Sequence, residues 1–209
     1  MRGRLITIEG LDGVGKTTLG EALAAALRER GAAVELLREP GGVELAERLR
    51  AVVKDPALAV DPRAEALLYA AARAQLCAER VAPLLGDGTW VLLDRFVDSS
   101  LAYQGAGRDL GIEAVRAVND FGTDGLRPDR TLLLRADEGT RAARQAGRGE
   151  ALDRLEREDG AFFAATASAY DALAAAEPDR IRVIDASAPP DAVLAASLRE
   201  LDDLLPPAA

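Results

Sequence analysis

Histidine is missing from all 209 residues. General bases built on imidazole, and metal centres ligated by histidine, are thereby excluded. Cysteine occurs once, at Cys77, so neither an intrachain disulfide nor a cysteine-rich zinc site can form, which fits a reducing compartment. The plain reading of Cys77 is a small apolar residue on a helix. No uncharged apolar run approaches the ~20 residues that a membrane span needs. Glu9 and Asp12 interrupt the first apolar stretch too early for a signal peptide. Positive charge is also scarce: 26 Lys and Arg stand against 35 Asp and Glu, a net charge of -9. A broad nucleic-acid surface is disfavoured, whereas a small phosphorylated substrate remains open, since a few clustered arginines override the average locally. A cytoplasmic protein with no nucleic-acid or membrane partner is expected.

What is present is a chain 49% hydrophobic, enough for one domain spanning 1–209. Short apolar runs alternate with amphipathic ones. Strands are expected at Leu5 to Ile8, Val34 to Leu37, Trp90 to Leu93, Thr131 to Leu134 and Ile181 to Ile184. Helices are expected at Thr17 to Arg30, Leu45 to Val53 and Arg63 to Ala82, the last closed by Pro83 and the Gly86-Asp87-Gly88 turn. A final helix sets Leu194, Leu198, Leu201 and Leu205 on one face, and the Pro206-Pro207 tail is expected to fray. Strands separated by helices imply an α/β fold, a five-stranded parallel sheet with helices on both faces. Ligands of such sheets gather at the carboxyl ends of the strands.

The segment Gly10-Leu11-Asp12-Gly13-Val14-Gly15-Lys16-Thr17-Thr18 reads GxxxxGK[ST], after a strand and before a helix. In that context it is a phosphate loop: backbone N–H groups and a helix N-terminus converge on phosphate oxygens. Lys16 is placed to reach the β/γ-phosphates and the Thr17 hydroxyl to ligate Mg²⁺. Asp94 ends an apolar strand, where a second Mg²⁺-associated carboxylate would sit, and Arg95 follows with a guanidinium able to hold a second phosphate. A strand-ending cap and a surface ion pair are the plain alternatives. Between Arg141 and Arg157 lie five arginines around Gly147-Arg148-Gly149. A Gly-flanked arginine suits a lid at about 141–157 that closes over a transferred phosphoryl group, although a solvated charged helix would carry the same letters. Together the three segments indicate phosphoryl transfer between two phosphorylated molecules. A nucleoside acceptor, and a nucleotide-binding switch, are the competing readings. Arg73 and Arg95 disfavour the first, the lid and the Asp94-Arg95 pair disfavour the second, and the missing Asn-Lys-x-Asp segment disfavours a GTP switch.

With Arg38-Glu39-Pro40-Gly41-Gly42, Leu67-Leu68-Tyr69-Ala70-Ala71-Ala72-Arg73, Asp94-Arg95-Phe96, Ser99-Ser100-Leu101-Ala102-Tyr103-Gln104-Gly105 and Leu126-Arg127-Pro128-Asp129 added in order, the chain resembles the bacterial thymidylate kinases, nucleoside monophosphate kinases of the P-loop class. The resemblance implies transfer of the γ-phosphoryl group of ATP to dTMP with Mg²⁺, in a homodimer. It implies ATP contacts from Gly10 to Thr18, with Asp12 also close to the acceptor sugar and phosphate. It assigns Glu39 and Pro40 to an acceptor-side loop, Tyr69 to stacking on thymine, and Arg73 to the base and monophosphate. Arg95 would hold the acceptor phosphate. Ser99, Ser100 and Gln104 would bond near the base, and Tyr103 would sit against the deoxyribose. For Tyr69 a core aromatic is the plain alternative. Members with glycine at the Gly13 position supply the catalytic cation from the lid, where Arg144 and Arg148 are the candidates. The chain departs from the pattern at Ala72, Val43 and Leu134-Arg135.

Overall fold

The computed structural model describes residues 2–147 and 153–205. Five parallel strands form one sheet in the order β2-β3-β1-β4-β5, with β1 Leu5–Glu9, β2 Val34–Arg38, β3 Trp90–Asp94, β4 Arg130–Arg135 and β5 Ile181–Asp185. All five residues of β1 are buried. Successive side chains point to opposite faces of a strand, so both faces of the sheet are covered. That is why the inner strands read as unbroken apolar runs. The edge strands β2 and β5 bury only some of their positions, because one side of each meets solvent.

The helices are α1 Lys16–Glu29, α2 Glu44–Lys54, α3 Pro62–Leu76, α4 Ala82–Gly86, α5 Val97–Ser100, α6 Ile112–Thr123, α7 Glu138–Ala146, α8 Gly160–Ala176 and α9 Pro190–Arg199. The sequence reading misplaces two boundaries, that of the final helix and that of the helix from Arg63, which Pro83 does not end. A π-helical turn at Cys77–Val81 joins α3 to α4, and Pro83 sits in the first turn of α4. The wider turn accommodates a residue that cannot donate to the ladder, so the rod runs on to Gly86. A second π-helical stretch, Leu101–Gly107, extends α5. This rod, α6 and α8 carry no expectation from the sequence. The last helix ends at Arg199, and the fully buried Leu201 follows in a turn. Pro206 and Pro207 lie outside the described residues.

The register sets the site. Ile8 of β1 and Arg38 of β2 both pair with Asp94 of β3. The phosphate loop, the segment after β2 and the Asp94-Arg95 turn therefore leave the sheet side by side.

Candidate active site

Gly15 caps α1 with φ 98°, and no side chain bonds the first turn. The first-turn N–H groups are left to an anion. Gly13 is required for a different reason. At φ 84° a Cβ would lie 2.7 Å from the Arg141 carbonyl oxygen, so the backbone of α7 rests on the loop where a side chain would stand.

Lys16 is buried, and its Nζ donates to the Gly10 carbonyl at 3.2 Å and the Leu11 carbonyl at 2.9 Å. Burial and the nearby Arg95 push the ammonium down to about 8, against the pull of Asp12, Asp94 and Glu9. Thr17 Oγ1 donates to Asp94 Oδ2 at 3.2 Å. A hydroxyl and a carboxylate side by side are hard oxygen donors of the kind Mg²⁺ takes when phosphates and waters complete its shell. Among the described residues no cluster of three or more His, Cys, Asp or Glu could hold a metal without such help.

Arg95 has φ 71°, a left-handed conformation that a non-glycine residue adopts only when its surroundings hold it. Its N–H donates to the Ile8 carbonyl at 3.0 Å, and the next N–H, of Phe96, donates to Glu9 Oε1 at 2.7 Å. Glu9 is fully buried, and Tyr170 Oη donates to its second oxygen at 2.8 Å. Burial, with Asp98 adding to it, pushes the Glu9 carboxyl up. The turn aims the guanidinium at Asp12 Oδ1, 2.6 Å away, over the Tyr103 ring at 5.0 Å. Longer bonds reach the Gly10 carbonyl and Ser99 Oγ, both at 3.1 Å, and Tyr103 Oη at 3.3 Å.

A cleft of about 520 Å³ opens beside these groups, lined by Asp12, Lys16, Thr17, Glu39, Pro40, Tyr69, Arg73, Asp94, Arg95, Ser99, Ser100, Tyr103 and Gln104 among others. The fold thus brings together the residues expected around the acceptor. Tyr69 lies at the cleft and also packs on the core, so both readings of it hold. Arg73 is only 2% exposed. Its Nε donates to Glu39 Oε2 at 2.7 Å, Nη1 to Ser100 Oγ at 2.9 Å and to Asn119 Oδ1, and Nη2 to the Phe96 carbonyl at 2.9 Å. With four of its five N–H groups engaged, it is a fixed donor and not a bidentate phosphate clamp. Burial pushes the Glu39 carboxyl up to about 7 against the pull of Arg73.

Arg38, Arg50 and Lys54 also line the cleft, and sequence reasoning passed over all three as site residues. Arg38 ends β2, which the carboxyl-end rule marks. Arg50 and Lys54 lie four apart, hence on one face of α2. With Lys16, Arg73 and Arg95 they gather cations at the cleft of a chain of net charge -9, beside Asp12, Glu39, Asp94, Asp153 and Glu156.

A second pocket of about 340 Å³ lies across the loop, lined by Gly13, Val14, Gly15, Thr18, Ala22, Arg144, Ala186, Ala188, Pro190, Val193 and Leu194 among others. Gly15 and Thr18 belong to both pockets, so the phosphate loop is the ridge between them. Gly10 and Leu11 line neither, and their carbonyls serve Lys16. Arg144 Nη1 donates to the Val14 carbonyl at 3.1 Å, and Arg141 Nε to the Asp12 carbonyl at 3.3 Å. Arg148 lies outside the described residues. Arg154, within the arginine-rich segment, is anchored elsewhere: Nε donates to the Val53 carbonyl at 3.0 Å, and Nη2 lies 2.7 Å from the buried Glu65.

A family model described as thymidylate kinase matches residues 8–196. Curated relatives named thymidylate kinase include one from Rhizorhabdus wittichii, 49% identical over 208 residues that cover 99% of this chain and 100% of its own. One from Alkalilimnicola ehrlichii is 47% identical, covering 93% and 90%. Another, from Deinococcus radiodurans, is 47% identical, covering 91% and 92%.

Proposed function

This chain belongs to the thymidylate kinase family, and on that premise we propose that it is a kinase that transfers the γ-phosphoryl group of ATP to dTMP, giving dTDP and ADP. One observation carries the reading beyond the family: the phosphate loop separates two pockets and shares Gly15 and Thr18 with both. A donor on one side and an acceptor on the other would meet over Lys16. The second pocket, where Ala22, Ala186, Ala188, Pro190, Val193 and Leu194 stand beside Thr18, Arg144 and Asp191, suits the donor base. The first takes dTMP, with Tyr69 on the thymine face, Tyr103 against the sugar, and Arg95 on the phosphate in exchange for its longer bonds.

The acceptor phosphate oxygen is anionic near neutral pH, so no protein base is needed, in keeping with a chain without histidine. Catalysis is then positioning and charge stabilisation. Lys16 holds the donor phosphates. Arg95 holds the acceptor, and Asp12 orients Arg95 through the 2.6 Å pair. Thr17 and Asp94 would hold Mg²⁺, which neutralises phosphate charge when bound. We read residues 1–209 as one domain and the arginine-rich stretch at 141–157 as a lid whose Arg144 and Arg148 offset the charge of the transferred group. A homodimer follows from the family resemblance. The cytoplasm as compartment is supported by the lone, buried Cys77, and among the described residues no helix is long and apolar enough to cross a membrane.

The test is a panel assay with ATP·Mg²⁺ and each nucleoside and nucleoside monophosphate, reading ADP release and product. Release that requires dTMP, with dUMP a poorer acceptor, is expected. Release that responds only to nucleosides, or to no acceptor at all, overturns the proposal.

A further inference from the structure

Glu65 has no part in the roles given above. It is a fully buried carboxylate in the first turn of α3. Its Oε2 accepts from Arg108 Nη2 at 2.9 Å and lies 2.7 Å from Arg154 Nη2, an ion pair not aligned as a hydrogen bond. Arg108 is itself held by Glu158 at 2.6 Å and lies over the Phe162 ring at 4.9 Å. The other oxygen, Oε1, accepts from Gln104 Nε2 at 2.8 Å and at longer range from Arg108 Nε at 3.3 Å, an N–H shared with Oε2 at 3.2 Å. An ionised carboxylate is an acceptor only. Gln104 can therefore face Glu65 only with its amide nitrogen, because the flipped amide would set oxygen against oxygen. Gln104 is 2% exposed and lines the acceptor cleft. With one N–H spent on Glu65, the amide oxygen and the second N–H are what it offers there.

We propose that Glu65 is a positioning residue that locks the Gln104 amide so that its oxygen accepts from the ring N–H of an imide base. Thymine and uracil carry that N–H. Cytosine carries a lone pair at the same ring position, and oxygen would meet lone pair. The inference rests on the reading of dTMP as acceptor and adds the residue that sets the polarity of base readout. A buried polar group left facing the wrong partner is penalised heavily, which is how a fixed amide discriminates.

The variant Glu65→Gln tests it because its outcome has a sign. Arginines are donors only, so Arg108 and Arg154, whose shorter contacts fall on Oε2, select the new amide's oxygen at that position. Its NH₂ then stands where Oε1 stood and meets Gln104 as a donor. Gln104 turns over and offers NH₂ to the cleft, which suits the lone pair of cytosine. Steady-state kinetics and calorimetric binding are measured with dTMP and dCMP. In E65Q the ratio of kcat/KM for dTMP over dCMP is expected to fall about tenfold or more, through KM and Kd, with kcat at saturating dTMP within about threefold. Arg108→Gln, which keeps the carboxylate, should lower Tm and leave the ratio unchanged. Where E65Q fails to fold, E65Q with R108Q removes a positive charge along with the negative one, and the same ratio is read from it. An unchanged ratio in a folded variant overturns the proposal and reduces Glu65 to a structural ion pair. A wild type that turns over no dTMP overturns the function reading instead, and the wild-type binding ratio separates the two failures.

Discussion

Arg73 and Arg144 line the two pockets that the phosphate loop separates, yet the molecule holds them differently. Arg73 is buried, with partners on four elements or turns. Arg144 sits on α7, a helix with no buried residue, and it donates to the Val14 backbone carbonyl. The acceptor wall is cross-braced before substrate arrives, whereas α7 rests on the loop through a few polar contacts. Preorganised groups spend no reorganisation at the reacting centre, while a lid, the role proposed for α7, is drawn from the weakly packed part of a fold. Substitutions on the two sides should therefore divide into effects on stability and acceptor binding, and effects on turnover alone.

The largest effect lies between the two walls. Lys16→Ala and Arg95→Ala should each lower kcat by about 10³-fold or more, since each removes a fixed cation from the phosphates, with circular dichroism unchanged. Near-normal turnover in either variant would sink the assignment. The pH dependence sharpens it. Lys16 is held down to about 8, so kcat/KM for ATP should fall as pH rises through that value, as the ammonium loses its proton.

The same contrast explains what was legible in the sequence. The phosphate loop, Asp94-Arg95 and all five strands were readable because each is local: a motif, a strand end, a run of apolar residues. The π-helical turn that carries the rod past Pro83 was not, because tertiary packing overrides the breaker there. Glu9 and Glu65 were invisible as site residues for a related reason. A carboxylate's use depends on what the fold places opposite it, and the partners of Glu9 include Tyr170, 161 positions away. Gly13 was legible only as a loop glycine within a resemblance. The 2.7 Å approach of the Arg141 carbonyl gives its physical reason: a side chain there would lift α7 off the loop.

The buried pair Arg73–Glu39 tests the braced side. Arg73→Ala leaves a buried carboxylate without its counter-ion and should cost about 3–5 kcal/mol of stability, alongside a raised KM for dTMP. Glu39→Gln behaves differently. The Glu39 carboxyl sits at about 7 in the fold against an ordinary 4.5. Its protonated form therefore contributes stability that is fully present below about pH 4.5 and lost as pH rises through 7. E39Q takes the anionic partner from Arg73, which sets its offset from wild type, but its stability relative to wild type should rise as pH goes from 5 to 8, read as Tm against pH. Parallel curves would show that Glu39 is ionised throughout.

Arg144→Ala probes the loosely held side and carries the smallest effect. Alanine is a good helix former and α7 buries nothing, so Tm should hold within about one or two degrees. The lost cation should lower kcat roughly tenfold, and the KM for dTMP should stay where it was, because the acceptor wall is complete without α7. Arg141, bonded to the Asp12 carbonyl, limits the loss, so the double variant with Arg141→Ala should fall further than the product of the single effects. If Arg144→Ala instead raises the KM for dTMP at constant kcat, α7 belongs to acceptor binding, and the division between a braced wall and a recruited lid does not describe this enzyme.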